Sequence, residues 1–382
     1  MAEYEQDSII RYLIGASRIK YVILDNLFRG ITFPNGVVLH VDAHAILYRL
    51  YRNKDLDAIY SVDKDVAVKD IVVNFINVLA HYRRYMATRL EATNDIYVYF
   101  NTKLPAYQEA LVSDYRKKEY EKYSKHNKDY SALTEIVLDA FEFIKGLTPY
   151  FTGIYIVENE NIDDYSAMYH FMNMELYQNC MHIIFSRNVF PTQLIGPNVI
   201  QIYSKRDKSY LITPLTVFSN GILKDRKTTA GDNLVPGMLP FIWTLAGCSD
   251  LGVPPSKWSH GIVSTMKLIN ELADKRMINA DMSIQAFLKV VSEHVKDGKF
   301  ELRTVPTELV NRYRIMSIPL ACQALTVDQS EKMKKNCYDL LNQTMLEELN
   351  ELLAQINSDS DLLEITSLNM DRGVEINPDK YS

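Results

Sequence analysis

Several oxygen-bearing side chains follow short apolar segments of this sequence. The segments are residues 37–41, 96–100, 153–157 and 181–185. The side chains that follow them, directly or within a few residues, belong to Asp42, Asn101, Asn161, Asp163, Asp164 and Asn188. Carboxylate and amide oxygens are the ligands that hard cations such as Mg²⁺ prefer. If the segments are neighbouring strands, the pattern predicts a cation site at their ends.

Each of these residues also has a simpler interpretation when it is considered alone. Asp42 would cap a helix that begins after it. Asp163 and Asp164 would complement the dipole of the following helix. Asn188 lies shortly before Pro191 and would be an ordinary turn residue. We favour the cation site because polar side chains follow four separate segments.

The apolar segments have the composition of buried parallel strands. Segments with apolar residues at helical spacing lie between them, the clearest at 67–92. With a fifth strand at 199–203, the alternation predicts an α/β fold with a mostly parallel central sheet flanked by helices. Such sheets place ligands at the carboxyl ends of their strands. The rest of the chain is predicted to be mainly helical, at 259–273, 282–297, 306–316 and 328–356.

The composition is that of a globular chain, with 47% apolar and 24% charged residues among 382. A net charge of −6 excludes a basic field over the whole protein, so nucleic-acid binding would need a local patch. No apolar run has the length of a membrane helix, and no secretory signal opens the chain. The sequence therefore predicts a cytoplasmic protein. Its 25 tyrosines suggest an AT-rich source such as a bacteriophage, which would place it in the host cell cytoplasm.

The order of the motifs resembles that of the 5′-nuclease family. This family includes phage ribonuclease H-type exonucleases, the 5′-nuclease domain of bacterial DNA polymerase and flap endonucleases. In the family, the first strand ends in Asp before a helix with Tyr-Arg, the second ends in Phe-Asp-Gly, and Glu-Ala-Asp-Asp opens a later helix. The corresponding residues here are Asp42, Tyr48, Arg49, Phe100, Asn101, Thr102, Asn161, Ile162, Asp163 and Asp164.

Two further motifs extend the resemblance to about residue 320. The family's Ser-x-Asp-x-Asp, followed by Gln-Leu, is similar to residues 186–190 and 193–194. Its Gly-Asp-x-x-Asp, which precedes a duplex-binding helical hairpin, is similar to residues 247–250, with Asp250 as the retained acid. A competing match lies at 231–233. We prefer the later match because an apolar helix at 238–246 leads directly into it.

The segment 113–130 is basic and rich in tyrosine, and it has two interpretations. Its interleaved acids suit a solvated helix. The resemblance instead implies a basic arch that contacts a single strand, with Gln108 where the family usually has an upstream Arg. On that interpretation the predicted nucleic-acid-binding residues are Arg49, Arg116, Lys117, Lys118 and Lys122.

The resemblance implies a PIN-like 5′-nuclease fold with a helical C-terminal part. We predict an N-terminal extension at 1–36 and a PIN-like α/β domain at 37–230. A helical region with a remnant duplex-binding hairpin would occupy 231–320, followed by a C-terminal helix and polar tail at 321–382. The implied metal ligands are Asp42, Asp163, Asp164 and Asp250, with Asn101, Asn161 and Asn188 as weaker ones.

Several acids of the family pattern are replaced in this sequence. The amides Asn101, Asn161 and Asn188 offer an oxygen without charge, and Cys248 and Phe190 stand where two more acids are usual. Phe190 would place an apolar ring near the second ion. Because Mg²⁺ gives up hydration reluctantly, neutral ligands compensate poorly. The sequence therefore predicts at most one weakly bound Mg²⁺ and a degenerate active site.

These substitutions favour a non-catalytic protein that binds nucleic acid or serves as a subunit of a replication, transcription or virion assembly. Branched or single-stranded DNA is favoured over RNA, and the helix at 328–356 predicts a protein partner. The alternative is an active Mg²⁺-dependent 5′→3′ exonuclease or flap endonuclease with fewer carboxylates. A zinc site is not supported, because His40, His44 and His182 do not cluster with cysteines in the sequence.

Overall fold

The computed structural model describes two parts of the chain, a sheet with its covering helices and a helical region after it. The predicted N-terminal extension, the basic segment at 113–130 and the helix at 328–356 lie almost entirely outside the described residues. Those residues are 33, 35–51, 63–68, 71, 72, 75, 79, 94–103, 105–112, 132–147, 154–158, 162–205, 208–214, 217, 234–248, 251–257, 261–294 and 306–323.

The described strands form one sheet of six strands in the order β3-β2-β1-β4-β5-β6. The pairs among β1 to β5 are parallel, and β6 is antiparallel to β5. The strand bounds are β1 Val37–Asp42, β2 Asn94–Tyr99, β3 Ile154–Val157, β4 Met181–Ser186, β5 Val199–Lys205 and β6 Lys208–Ile212. The predicted mostly parallel sheet is confirmed, and β6 is an addition that the sequence had not indicated.

Helices connect the strands and then continue to the end of the described chain. Residues 64–68 are also helical, and so are the described positions between 71 and 79. Short 3₁₀ helices lie at Glu175–Tyr177, Phe190–Leu194 and Pro236–Met238. The α-helices are α1 Ala43–Tyr51, α2 Ala106–Leu111, α3 Ala132–Leu147, α4 Asp164–Met172, α5 Leu239–Ala246, α6 Ile262–Asp274, α7 Ile284–His294, α8 Thr307–Met316 and α9 Ile318–Cys322.

The two faces of the sheet carry two separate apolar cores. In β1, Val37, Leu39 and Val41 face the core beneath α1 and α3, whereas Val38 faces the core beneath α4. This division follows from the strand pleat, which sends successive side chains to opposite faces. His40 and Asp42 share the face of Val38, so the polar side chains of β1 lie on the α4 side.

The helical region packs on the α4 side of the sheet. Every residue of α5 is buried, as expected for a helix that is apolar on all sides. Gly247 follows α5 with a positive φ of 74°, and a Cβ there would lie 2.5 Å from the backbone of Pro254. Only glycine fits this return of the chain. Among the described helices, none has the length and apolarity that crossing a membrane requires.

Candidate functional site

The carboxyl edge of the sheet brings several predicted site residues to one place. Asp42 ends β1, Ser186 ends β4 and Asn101 lies just beyond β2. Asp42 pairs in register with Tyr99 of β2, and β4 lies on the other side of β1. Asp42, Asn101 and Ser186 are all at most 4% exposed. They form a buried polar cluster on the α4 side, which we call the cleft.

Asp42 contacts the residue that ends β4. The Ser186 hydroxyl donates a hydrogen bond to Asp42 Oδ2 at 2.8 Å. The same oxygen of Ser186 accepts one from the backbone N–H of Asn188 at 3.0 Å. Asp42 therefore fixes the chain at the end of β4.

Asn188 shapes this turn through its side-chain oxygen. Asn188 Oδ1 accepts from the backbone N–H of Phe190 at 2.9 Å, which is the geometry of an Asx turn. Gln201 Nε2 donates to the Asn188 carbonyl at 2.8 Å, and the Thr192 hydroxyl donates to Gln201 Oε1 at 2.9 Å. These contacts match the interpretation of Asn188 as a turn residue.

Asn101 forms its hydrogen bond through the nitrogen of its side-chain amide. Its Nδ2 donates to the carbonyl of Ile162 at 2.9 Å, which ties the end of β2 to the approach to α4. The side chain is buried, with 3% exposure. A carboxylate has no hydrogen to donate. An aspartate at this position could not make this hydrogen bond.

The Asn101 side chain is a hydrogen-bond donor and the Asn188 side chain is an acceptor, which gives a matched pair of substitutions. Asn101→Asp is expected to lower the free energy of unfolding by about 3 kcal/mol, because it places a buried charge against a carbonyl oxygen. Asn188→Asp is expected to change it by no more than about 0.5 kcal/mol, because Asp also accepts from the Phe190 N–H. Urea unfolding at pH 7 in EDTA measures both. Equal losses would contradict the assigned donor and acceptor roles.

Asp163 is the N-cap of α4, and its carboxylate is fully engaged by protein donors. Oδ1 accepts from the backbone N–H groups of Tyr165 at 2.9 Å and Ser166 at 3.0 Å. Oδ2 accepts from the Ser166 hydroxyl at 2.9 Å and from Gln108 Nε2 of α2. Asp163 is 1% exposed. Its geometry is therefore that of a buried helix cap.

Asp164 lies in the first turn of α4 and is 2% exposed. A carboxylate there interacts favourably with the partial positive charge of the helix N-terminus. In the part of the chain that the structure describes, no group of three or more His, Cys, Asp or Glu side chains is placed to hold a metal ion. The predicted site residues outside the described side chains are Arg49, Arg116, Lys117, Lys118, Lys122, Asn161 and Asp250.

Phe190 lies in the hydrophobic core, with 1% exposure. Its ring centroid is 5.5 Å from that of Tyr165 and 5.5 Å from that of Trp243 in α5. The ring therefore joins α4 to the helical region. The expectation that Phe190 would place its ring near the position of a second ion gains no support from these contacts.

A buried hydrogen-bonded chain beneath the cleft was missed at the level of sequence, where its histidines were considered only as zinc ligands. His40 Nδ1 lies 2.8 Å from the Tyr99 hydroxyl, and His40 Nε2 lies 3.0 Å from His182 Nδ1. His182 Nε2 lies 3.1 Å from the carbonyl of Tyr177. Alternation within β1, β2 and β4 was the available signal, because it places these rings on one face.

The Tyr177 carbonyl at the end of this hydrogen-bonded chain determines where each proton in it lies. A carbonyl only accepts, so His182 donates from Nε2, and its neutral ring then accepts at Nδ1. His40 therefore donates from Nε2 and accepts at Nδ1 from the Tyr99 hydroxyl. Burial lowers the pKa of His182 to about 4. Burial, and then the neighbouring His182, lower the pKa of His40 well below its ordinary value.

A second buried chain meets the first at Tyr177. The Tyr177 hydroxyl donates to Asp95 Oδ2 at 2.6 Å. Its oxygen therefore accepts from the Tyr97 hydroxyl at 2.7 Å. Burial and the charge of Asp95 raise the pKa of Tyr177. Both chains run beneath α4 and hold neutral rings together below the cleft.

Comparison with known proteins supports the fold. No protein-family model matches the sequence, and no curated protein sequence matches it. Bacteriophage T5 5′-exonuclease with bound zinc ions superposes with a TM-score of 0.55 at 12% identity, over 79% of this chain and 98% of that one. The T5 flap endonuclease, in a pseudo-enzyme–product complex with DNA and metal ions, gives 0.52 at 13% identity, over 79% and 97%. This chain has the 5′-nuclease fold.

The motif order had predicted this 5′-nuclease fold, and that prediction is confirmed. The same T5 protein co-crystallised with metal ions gives a TM-score of 0.52 at 13% identity. At such identities the likeness is one of fold.

Proposed function

We propose that this protein is a non-catalytic, 5′-nuclease-like nucleic-acid-binding protein whose cleft does not hold a pair of catalytic metal ions. The observation that carries the proposal is the environment of Asp163, whose two oxygens accept hydrogen bonds from Tyr165, Ser166 and Gln108. A carboxylate engaged in this way would have to give up its protein donors before it could ligate a cation. Two-metal cleavage needs several carboxylates that are free to clamp the ions.

The amides and Asp42 strengthen the same argument. Asn101 donates an amide hydrogen to the carbonyl of Ile162, and the oxygen of Asn188 accepts from the backbone of its own turn. Asp42 accepts from Ser186. The donor set therefore does not fit a pair of Mg²⁺ ions, which require charged oxygens in near-octahedral geometry.

Nucleic acid remains the proposed partner because the amides Asn101, Asn161 and Asn188 leave the cleft less negative than the family pattern, so that it repels a phosphate backbone less. The T5 flap endonuclease, which has the same fold, was crystallised with DNA. We propose that Arg49, Arg116, Lys117, Lys118 and Lys122 contact the phosphates, and that branched or single-stranded DNA is preferred to RNA. The protein would act alone or as a subunit of a replication, transcription or virion assembly.

A second candidate function is that of a Mg²⁺-dependent 5′→3′ exonuclease or flap endonuclease with a reduced carboxylate set. It is favoured by the buried carboxylates of Asp42 and Asp164 at the expected edge of the sheet. The T5 5′-exonuclease, which has the same fold, has been solved with divalent zinc ions bound. On this proposal, Asp42 and Asp164 would hold one weakly bound Mg²⁺, which would supply Lewis-acid chemistry.

An assay with a 5′-flap DNA duplex separates the two candidates. We expect no cleavage with Mg²⁺ or Mn²⁺, and binding that persists in EDTA. Affinity should fall linearly with salt on a double-logarithmic plot, because phosphate contacts release counterions. Asp42→Asn and Asp164→Asn are suitable controls because each removes a charge while preserving shape. Metal-dependent cleavage that is lost in Asp42→Asn would overturn the proposal and favour the enzyme.

A further inference from the structure

The segment formed by α8 and α9 packs on the two helices that surround Asp163. α8 lies against α2, and α9 lies against α4. α2 supplies Gln108, which donates to the Asp163 carboxylate, and α4 is the helix that Asp163 caps. The segment therefore lies next to the cleft, although its residues belong to the far C-terminal side of the described chain.

Gln193 fastens the joint between α8 and α9. Its Nε2 donates to the carbonyl of Met316 at 3.1 Å, and its Oε1 accepts from the backbone N–H of Ile318 at 2.9 Å. The same Nε2 donates to the carbonyl of Phe190 at 3.2 Å. The Gln193 side chain thus forms hydrogen bonds with the backbone on both sides of Ser317 and connects this backbone to the turn after β4. Gln193 is 7% exposed, so these bonds are shielded from water.

A second contact joins α9 to α2 directly beside Asp163. The Tyr107 hydroxyl donates to the carbonyl of Ala321 at 3.5 Å, and the next residue, Gln108, donates to Asp163. Cys322 follows at the end of α9. Burial, with a further contribution from the charge of Asp163, raises the pKa of the Cys322 thiol to about 11. The end of α9 therefore lies within electrostatic range of the Asp163 carboxylate.

We propose that the α8–α9 segment is a cover over the cleft, that Gln193 is its latch, and that nucleic acid displaces it on binding. The inference rests on the proposed function for its ligand. Asp42, Asn101 and Asp163 are at most 4% exposed, so a phosphate cannot reach them in the described conformation. Binding at the cleft must therefore select a state in which a neighbouring element has moved. The α8–α9 joint is fastened by the hydrogen bonds to Gln193, and Met316 and Ile318 on either side of it are buried in the core. The open state is therefore a minor one that binding must select.

The thiol of Cys322 reports whether the cover is open. It is partly buried, whereas Cys180 and Cys248 are buried. Opening would expose it and move it away from Asp163, so its thiolate fraction and its labelling rate would both rise. The experiment labels the full-length protein with a maleimide in EDTA and follows the Cys322 peptide by mass spectrometry. It is run with and without a single-stranded DNA oligonucleotide.

Gln193→Glu should open the latch. Glutamate can still accept from Ile318, but it cannot donate to Met316 or Phe190. We expect Cys322 labelling to rise on the order of tenfold, and oligonucleotide affinity to rise by a similar factor as the competent state becomes more populated. Tyr107→Phe, a nearly isosteric change, should shift both in the same direction by a smaller factor. In the wild type, the oligonucleotide itself should accelerate labelling.

Asn198→Asp is the matched control. Asn198 Nδ2 also lies against two backbone carbonyls, those of Gln178 and Cys180, but far along the chain from α8 and α9. The same amide-to-carboxylate change there should leave Cys322 labelling unchanged. A comparable rise in this control would mean that general destabilisation, not a latch, exposes the thiol.

The outcomes separate this inference from the proposed function. Unchanged labelling in Gln193→Glu and Tyr107→Phe, or slower labelling when the oligonucleotide binds, would overturn the cover. Faster labelling in Gln193→Glu, with no oligonucleotide binding to either protein, would support the latch and refute the proposed function.

Discussion

Replacing Asp163 with alanine is expected to lower the free energy of unfolding by about 3–5 kcal/mol. The substitution removes the N-cap of α4 and leaves the Ser166 hydroxyl and the Gln108 amide without their acceptor in a buried site. Asp163→Asn should cost no more than about 1 kcal/mol, because Asn is an equally good cap. The hydroxyl and amide can rotate to accept from its new N–H groups. Urea unfolding of the full-length protein measures both.

An exposed cap provides the control for this pair. Ser283 Oγ accepts from the backbone N–H of Ala286 at 3.2 Å at the start of α7. Ser283→Ala should cost about 1 kcal/mol, because water replaces the lost acceptor. If Asp163→Ala instead raised the free energy of unfolding, the native carboxylate would be a group that lowers the stability of the fold. That result is typical of functional residues and would revive the enzyme hypothesis.

The sheet could be predicted from the sequence because its signals are local. Apolar segments of strand length alternate with helical spacing, and this alternation limits the topology. β6 was missed because it is a short strand in a hairpin, where Lys205 pairs with Lys208. The lysines at both ends of the turn interrupt the apolar pattern, so β6 lacks the continuous apolar segment that is typical of a buried strand.

The cleft could be predicted only in part, because its roles depend on contacts distant in sequence. Ser166, three residues after Asp163, is a local sign of a cap. Gln108, which donates to the same carboxylate, lies 55 residues away. Whether an Asn donates or accepts is likewise set by its neighbour in space, as Asn101 and Asn188 demonstrate. The structure brings Asp42 and Asn101 to one edge of the sheet, and only the geometry distinguishes a ligand from a cap.

Stability is also expected to fall steeply between pH 6.5 and about 4 because of the buried histidine pair. His182 has a folded-state pKa of about 4, below its ordinary value of 6.5. Between these values the unfolded chain binds a proton that folded His182 does not, so stability decreases as the pH falls. The loss from His182 amounts to roughly 3 kcal/mol by pH 4. Its lowered pKa arises mainly from burial, and it contributes no loss above pH 6.5.

His182→Gln isolates this effect. The Gln amide can donate to the Tyr177 carbonyl and accept from His40, so the chain of hydrogen bonds is preserved without a titrating group. Urea unfolding at pH 7, 6, 5 and 4 should give a pH dependence that is shallower than that of the wild type by roughly 3 kcal/mol. Tyr99→Phe removes a hydrogen bond from the same chain and should lower stability by a similar amount at every pH.

If the free energy of unfolding of His182→Gln and of the wild type had the same pH dependence, the buried hydrogen-bonded chain would accept a proton with no loss of stability. That requires reversal of the whole chain, with His40 donating from Nδ1 and the Tyr99 hydroxyl accepting. Tyr99 would then need a new acceptor in a buried layer that it shares with Tyr97 and Tyr177, whose hydroxyls already form a series with Asp95. The Tyr177 hydroxyl already donates to Asp95, and the Tyr177 carbonyl already accepts from His182. We therefore expect that the chain of hydrogen bonds does not reverse and that the fold loses stability in acid.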